Sequence, residues 1–150
     1  MKKFREGGFL IAKIHTLSER VLAKILKKYC LTDINPAQGR IFFALWQGDG
    51  ISIRELAQKT SLEKSTLTSM LDRLEKNGFV ARVPSKEDRR KILIKLTEKD
   101  RKLENVYTRI CEEKMQLFYK GFTKKEIDKV ESFLMRILGN LESFEKKTGR

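Results

Sequence analysis

Residues 62–97 read LEKSTLTSMLDRLEKNGFVARVPSKEDRRKILIKLT, and this stretch decides the fold that the sequence predicts. Its first half places apolar residues at helical spacing on one face: Leu67, Met70, Leu71 and Leu74. Asn77-Gly78 ends that helix, because glycine readily adopts the left-handed conformation that stops a helix. Two short apolar runs follow, and they flank a loop that contains Pro84, two acids and four bases. The stretch therefore predicts a helix followed by a β-hairpin with a basic tip.

A shorter helix precedes this one across a brief turn. Ser52 with Glu55 matches a capping box, which opens a helix at about 53–59. Two helices separated by a short turn, with small hydroxyl and basic residues at the start of the second, are typical of a helix-turn-helix. The hairpin that follows is the wing, so the sequence predicts a winged helix-turn-helix.

Two more helices are expected before this core. Apolar residues fall at helical spacing between Phe9 and Tyr29, which indicates an amphipathic helix of about five turns. Asn35 then supplies a cap and Pro36 fits the first helical position, so the next helix is expected at about 36–47.

Two long helices are expected after the hairpin. Thr97 with Asp100 resembles a cap for the first, and Thr123 with Glu126 matches a capping box for the second. The predicted fold class is mainly α (α+β), a winged helix-turn-helix core with long N- and C-terminal dimerisation helices. The predicted ranges are one domain over 1–150, a core at about 36–97, and dimerisation helices at about 9–30 and 98–146.

The charge balance indicates an anionic partner. The chain carries 33 Lys and Arg against 20 Asp and Glu, a net charge of +13, which favours nucleic acid or a membrane surface. Two readings without a partner stay open: a basic, solvated surface, and the Lys- and Glu-rich composition of a heat-adapted chain. No apolar run is long enough to span a bilayer, and two cysteines are too few for a disulfide framework, so a cytoplasmic protein is expected.

The predicted nucleic-acid interface has two parts. The second helix of the helix-turn-helix begins with short donors that can approach phosphates and base edges in a major groove. These candidates are Lys64, Ser65, Thr66, Thr68, Ser69 and Arg73. In the wing, Arg89 or Arg90 could enter an adjacent minor groove, with Asp88 paired to a neighbouring arginine. The wing candidates are Lys86, Asp88, Arg89, Arg90 and Lys91. The alternatives are an ordinary polar helix face and a solvated turn with local ion pairs.

Residues 52–100 resemble the core of the MarR family, regulators named for multiple antibiotic resistance. The features that carry the resemblance are EKSTLTSMLDRLEKNGFV and the wing pattern DRR followed by ILIKLT, and the likeness extends over roughly residues 10–145. It implies a homodimeric repressor, less often an activator, that binds a pseudo-palindromic operator and is released by a small phenolic, lipophilic or oxidised ligand. The family's wing arginine corresponds to Arg90, with Asp88 as its partner.

Dimerisation is also expected from the apolar stripes of the first and last helices, which need a cover. In a monomer they would fold onto the core. The resemblance implies instead that terminal helices intertwine across a two-fold axis, which sets the recognition helices about one DNA turn, roughly 34 Å, apart.

The resemblance further implies an effector pocket between the dimerisation helices and the DNA-binding core. Its candidate residues are His15, Tyr29, Phe42, Phe43, Trp46 and Tyr107. Aromatic residues at helical spacing also serve as ordinary core. His15 is the only histidine, so no metal or other cofactor is expected. Cys30 and Cys111 do not match the cysteine position of the family's peroxide sensors, and both are expected to be ordinary buried cysteines.

A winged-helix module that binds protein or RNA without operator specificity is the alternative function. It predicts duplex binding that is insensitive to changes at Ser65 or Thr68. An enzyme is not expected, because the sequence contains no acid–base pair, nucleophile–histidine arrangement, P-loop or dinucleotide fingerprint.

Overall fold

The computed structural model describes residues 3–148. In chain order the elements are α1 (Gly7–Lys28), a 3₁₀ turn (Pro36–Gln38), α2 (Gly39–Gln47), β1 (Ile51–Ser52), α3 (Ile53–Thr60), α4 (Lys64–Lys76), β2 (Val80–Pro84), β3 (Ile92–Leu96), α5 (Glu98–Phe118) and α6 (Lys124–Lys147). The chain divides into two compact units, of which the first ends at Lys114 and the second begins at Met115. The predicted fold class, mainly helical with a small antiparallel wing, is confirmed. One domain over residues 1–150 stays a prediction.

In the first unit, the start of α2 follows the predicted cap with one difference. Asn35 Oδ1 accepts a hydrogen bond from Gln38 N at 3.1 Å, and Gln38 Oε1 accepts one from Asn35 N at 3.0 Å. The residues just after the cap form a 3₁₀ turn, and the α-helix itself begins at Gly39. The predicted boundary near residue 36 is therefore right for the turn and three residues early for the α-helix.

The hydrophobic core of the first unit joins α1, α2, α3, α4, the sheet and α5. Its fully buried side chains include Ile41, Phe42, Leu56, Leu67, Leu71, Leu74, Ile94 and Ile110. Three of them are leucines of α4, which lie on the face that the sequence predicts, while Met70 beside them is half-buried. The same periodicity leaves the opposite face of α4 in solvent.

The hairpin belongs to a three-stranded antiparallel sheet in the order β1-β3-β2. Ile94, at the centre of β3, pairs with Arg82 of β2 on one side and Ile51 of β1 on the other. The two-residue β1 is too short to produce a periodic pattern, and the sequence did not predict it. Asp49 Oδ1 stabilises the base of the sheet by accepting a hydrogen bond from Leu96 N at 2.9 Å.

Thr97 and Asp100, which the sequence predicts as a cap pair for α5, make other contacts. The Thr97 hydroxyl donates to the carbonyl oxygens of Gly78 and Phe79. Asp100 is fully buried and accepts a hydrogen bond from Trp46 Nε1. Both side chains therefore connect α5 to preceding elements rather than to each other.

In the second unit, α6 begins with the predicted capping box. Thr123 Oγ1 accepts a hydrogen bond from Glu126 N at 3.2 Å, and Glu126 Oε1 accepts one from Thr123 N at 2.9 Å. None of the residues of α6, all of which lie in the described part of the chain, is buried. Seven large apolar side chains of this helix are exposed: Phe133, Leu134, Met135, Ile137, Leu138, Leu141 and Phe144.

The expectation of two buried cysteines is wrong for Cys30. This residue is exposed and has a backbone φ of 60°, because it lies in the turn just after α1, outside the core. Cys111 is half-buried in α5, and burial raises the pKa of its thiol. No helix in the described residues has the length and apolar character needed to cross a membrane.

Candidate nucleic-acid interface

The first turns of α4 present polar side chains to solvent. Lys64, Ser65, Thr66, Ser69 and Arg73 are exposed, and Thr68 is half-exposed. The residue before the helix, Glu63, has extended backbone angles, and its side chain makes no cap hydrogen bond. The first N–H groups of a helix lack partners within it, so they are available to an anion such as a phosphate.

Thr68 is oriented by a hydrogen bond within its own helix. Its hydroxyl donates to the carbonyl oxygen of Lys64 at 2.8 Å. The one proton of the hydroxyl is therefore used, and toward solvent the side chain offers an acceptor oxygen and a methyl group. Such a surface suits a base-edge donor or the methyl group of thymine.

Arg73, further along α4, lies beside a polar cleft of about 320 Å³. The other residues that line this cleft are Thr32, Asp33, Asn35, Gln38, Lys76 and Asn77. Asn77 closes part of it by donating from Nδ2 to the carbonyl oxygen of Asp33 at 3.4 Å. Two cations of α4 therefore border a hydrophilic surface at the second half of the helix.

The wing loop has a defined turn geometry. Ser85 N donates to the Lys91 carbonyl oxygen at 2.9 Å, and Lys91 N donates to that of Asp88 at 3.0 Å. The Ser85 hydroxyl oxygen accepts hydrogen bonds from the backbone N–H groups of Glu87 and Asp88. These contacts hold a tip on which Lys86, Arg89, Arg90 and Lys91 are all exposed.

Asp88 and Arg90 form the pair that the sequence predicts at this tip. Asp88 Oδ1 accepts one hydrogen bond from Arg90 N at 3.0 Å and another from Arg90 Nε at 3.4 Å. The Arg90 side chain is 93% exposed, so the pair contributes little to stability. Its effect is to orient the guanidinium through Nε, so that neither Nη group is needed for the pair.

Arg82 of β2 is a charged residue that the sequence reasoning missed. Its Nη2 lies 2.7 Å from Asp72 Oδ1, and its Nη1 lies 3.0 Å from Glu75 Oε1. Its backbone N also donates to Glu75 Oε2 at 3.1 Å. Both carboxylates belong to α4, so this cluster joins α4 to β2 of the hairpin.

The residues predicted to line an effector pocket do not surround one cavity in the described structure. Phe42, Trp46 and Tyr107 pack together as core, with ring centroids 5.3 to 5.9 Å apart. His15 is exposed and lies 3.4 Å from Glu19, while the Tyr29 hydroxyl donates to Glu113. Phe43 is exposed. Helical spacing brings three of the aromatics together, and their packing fills the space between them.

A different cleft, of about 250 Å³, opens between the α1–α2 connection and the first half of α5. Its lining residues are Cys30, Leu31, Thr32, Asp33, Ile34, Phe79, Lys99, Lys102, Leu103 and Val106, here called the Lys99 cleft. Lys99 Nζ donates to the carbonyl oxygen of Asn77 at 2.7 Å and lies 4.6 Å from the Phe79 ring centroid. The cleft thus has an apolar floor and two cations at its rim.

Metal ligands are not clustered in the part of the chain that the structure describes. No group of three or more His, Cys, Asp or Glu side chains there could hold a metal ion.

These features define a winged helix-turn-helix protein of the DNA-binding type. They are the exposed polar start of α4, the hydrogen-bonded basic loop of the wing and the three-stranded sheet. The family model described as MarR family matches residues 34–92. The multiple antibiotic resistance protein MarR of Escherichia coli is 30% identical over 132 residues, which are 87% of this chain and 90% of that protein. The chain belongs to the MarR family of transcriptional regulators.

Two further comparisons extend this likeness. The HTH-type transcriptional repressor IacR of Pseudomonas putida is 26% identical to this chain. The aligned residues are 94% of this chain and 84% of that protein. The solved structure of a mutant E. coli MarR complexed with operator DNA has a TM-score of 0.76 at 30% identity, over 87% of this chain and 92% of that one. In several shorter matches, this chain spans only 32 to 44% of the relative's length.

Proposed function

We propose that this protein is a homodimeric, sequence-specific DNA-binding regulator of the cytoplasm that represses transcription from a pseudo-palindromic operator. The main observation behind the proposal is that one folded unit presents both a basic wing and a start of α4 rich in hydrogen-bond donors. The net charge of +13 supports it, because neutralising phosphates releases counterions and drives binding. The relative IacR is named a repressor, and the E. coli MarR mutant was solved with operator DNA.

In this proposal α4 enters a major groove with its N-terminus first. Lys64 and the free N–H groups of the first turn bind phosphate, while the short side chains approach the base edges. These short side chains are Ser65, Thr66, Thr68 and Ser69. Arg73 contacts the DNA backbone from the second half of the helix, beside the polar cleft.

The wing contacts the neighbouring minor groove. Arg90 enters the groove, where narrow walls concentrate negative potential, and Asp88 holds its guanidinium in position. Lys86, Arg89 and Lys91 then lie near the flanking phosphates and supply affinity that does not depend on sequence.

Exposed apolar surface on the first and last helices supports a dimer of this chain. In the first unit α1 exposes five large apolar residues: Phe9, Leu10, Ile11, Ile14 and Leu17. In the second unit α6 buries none of its described residues. Exposed apolar area of this kind is typical of an interface, and a two-fold dimer matches two half-sites roughly 34 Å apart.

Relief of repression by a small lipophilic or phenolic effector belongs to the same proposal. The Lys99 cleft suits such a molecule better than the six predicted pocket residues, because those pack as core or lie apart. Apolar side chains would hold the ring or chain, and Lys102 at the rim would pair with an acidic group. Titration calorimetry with phenolic acids, on wild type and Lys102→Gln, tests this site, and equal heats would exclude it.

The proposed function is tested by binding isotherms on DNA from upstream of the gene and on a scrambled duplex. Both are titrated at two salt concentrations while the mass in solution is recorded. We expect a dimer that binds the upstream duplex at least about a hundredfold more tightly. Equal and strongly salt-dependent binding to both duplexes would contradict the proposal and favour a winged-helix module for RNA or protein.

A further inference from the structure

We infer that Arg82 is a positioning residue for DNA recognition, because its guanidinium fixes the wing relative to the groove-reading face of α4. The inference rests on the proposed DNA-binding function and adds to it a residue outside both predicted parts of the interface. The Arg82 cluster is defined as Arg82 of β2 with Asp72 and Glu75 of α4.

Three donors of Arg82, the backbone N–H and both Nη atoms, bind carboxylates of α4. The two Nη atoms of the guanidinium each bond a different carboxylate, at 2.7 Å to Asp72 and 3.0 Å to Glu75. The second oxygen of Glu75 accepts from the Arg82 backbone N–H at 3.1 Å. The side chain of Arg82 is only 20% exposed, so this is a partly desolvated fork rather than a loose surface pair. A lysine, with a single point charge, has no comparable two-pronged geometry.

The Arg82 cluster is not needed to hold α4 on the core. Leu67, Leu71 and Leu74 already bury the inner face of that helix completely. What the cluster adds is a lateral restraint, because it joins the flank of α4 to the middle of β2. Arg82 is the third of five residues in this strand and pairs with Ile94 of β3. The restraint therefore acts on the hairpin and not on the helix alone.

The position of Arg82 in the middle of β2 makes the restraint effective at the tip of the wing. Val83 and Pro84 extend β2 by two more residues, roughly 7 Å at the usual rise of a strand, before the loop begins. A small rotation of the hairpin at Arg82 would be magnified at Arg90. Because α4 and the wing tip read neighbouring grooves, their separation must match the DNA.

The two carboxylates lie next to the face that reads the bases. Asp72 follows Thr68 by four residues and Ser69 by three, so these three side chains share one side of the helix. Unpaired acids at this place would repel phosphates, and Arg82 neutralises part of their charge. A direct consequence is testable. Removing the acids should lower the ratio of specific to nonspecific affinity even though the protein becomes more positive.

The experiment uses the full chain and the duplex that the wild type selects from a random-sequence library, together with its scrambled form. The variants are Arg82→Met, which keeps an apolar stem and removes the fork, and the double variant Asp72→Asn, Glu75→Gln. Arg109→Met is the matched control, since it removes one exposed cation from α5. Each is titrated at two salt concentrations, and its thermal melting is followed by circular dichroism.

We expect Arg82→Met to lower affinity for the selected duplex at least about tenfold and for the scrambled duplex by less than about threefold. The carboxylate variant should bind scrambled DNA more tightly than the wild type, with the ratio of selected to scrambled affinity also reduced at least about tenfold. Arg109→Met should leave that ratio unchanged.

An unchanged ratio in both variants would overturn the inference. So would an equal loss on both duplexes in Arg82→Met with a smaller salt slope, since that marks a phosphate contact. If Arg82→Met does not melt cooperatively, the affinity ratio of the double variant Asp72→Asn, Glu75→Gln decides the test. Its changed side chains are exposed, so the fold should tolerate them. A wild type that selects no duplex contradicts the proposed function itself, and this result is seen before any variant is compared.

Discussion

Trp46 and Asp100 are joined by a hydrogen bond in which the indole Nε1 donates to Asp100 Oδ2 across 3.0 Å. Asp100 is fully buried, and its Oδ1 has no hydrogen-bond partner among the described residues. Burial raises the pKa of this carboxyl, the Trp46 bond opposes that rise, and the nearby carboxylates of Glu104 and Asp49 add to it. A carboxylate in such a place costs free energy whenever it is ionised.

We expect this carboxyl to make the protein less stable as the pH rises through the raised pKa of Asp100. The folded state binds the proton more tightly than the unfolded state does. The favourable contribution is therefore complete below the unfolded pKa, about 3.9, and is lost above the folded pKa. Denaturant unfolding of the wild type and Asp100→Asn at several pH values measures this. The stability of the wild type relative to the variant should fall across that window, and a pH-independent difference would contradict the assignment.

Arg90→Ala should weaken operator binding more than about tenfold and reduce the salt slope by roughly one unit. The physical reason is the loss of one cation near the phosphates, at a side chain that is 93% exposed and paired with Asp88. Fluorescence anisotropy at several salt concentrations measures both quantities. Lys120→Ala, at an exposed position after α5, serves as the control for a lost charge. Unchanged affinity and slope in Arg90→Ala would refute the wing assignment.

Thr68→Ala should change the preference among operator variants more than it changes nonspecific affinity. The hydroxyl proton is used on the Lys64 carbonyl, so the loss removes an acceptor and a methyl group from the groove face. Thr108→Ala is the matched control, because the Thr108 hydroxyl makes the same bond to the Glu104 carbonyl at an exposed position of α5. Competition binding with single-base operator variants gives the preference. An equal loss on all sequences would make Thr68 a phosphate contact.

Gly39→Ala should destabilise the protein, although alanine normally favours a helix. A Cβ at this position would overlap the hydroxyl of Tyr107, which is buried and has little room to move. The free energy of unfolding is expected to fall by about 1–3 kcal/mol, as at other overpacked sites. In a Tyr107→Phe background the overlap is relieved, and the same change should stabilise by roughly 0.5–1 kcal/mol. Urea unfolding of the wild type, the two single variants and the double variant measures the coupling between residues 39 and 107. Additive changes in the free energy of unfolding would contradict the predicted overlap.

Local contacts explain which parts of the fold the sequence predicts well. Asn35 with Gln38 and Thr123 with Glu126 bond across three residues, so their patterns are visible in the chain itself. The buried face of α4 follows from helical periodicity in the same way. These local predictions therefore hold, whereas the equally local pairing of Thr97 with Asp100 does not form, because both side chains contact residues elsewhere in the fold.

Contacts between distant segments explain what the sequence does not predict. Arg82 meets Asp72 and Glu75 only because the sheet register and the tilt of α4 bring them together, and no local pattern encodes that meeting. Spacing also cannot distinguish aromatic residues that line a cavity from those that fill it. Phe42, with its neighbours Trp46 and Tyr107, fills the core, while the Lys99 cleft lies elsewhere.

The absence of any buried side chain among the described residues of α6 has a consequence for how the protein behaves on dilution. A helix that fully buries no side chain within its own unit derives most of its stability from whatever covers it. When that cover is a second copy, mass action makes the melting temperature depend on protein concentration. The concentration of the regulator in the cell would then determine how stably its C-terminal helix is folded, as well as how much of its operator is occupied.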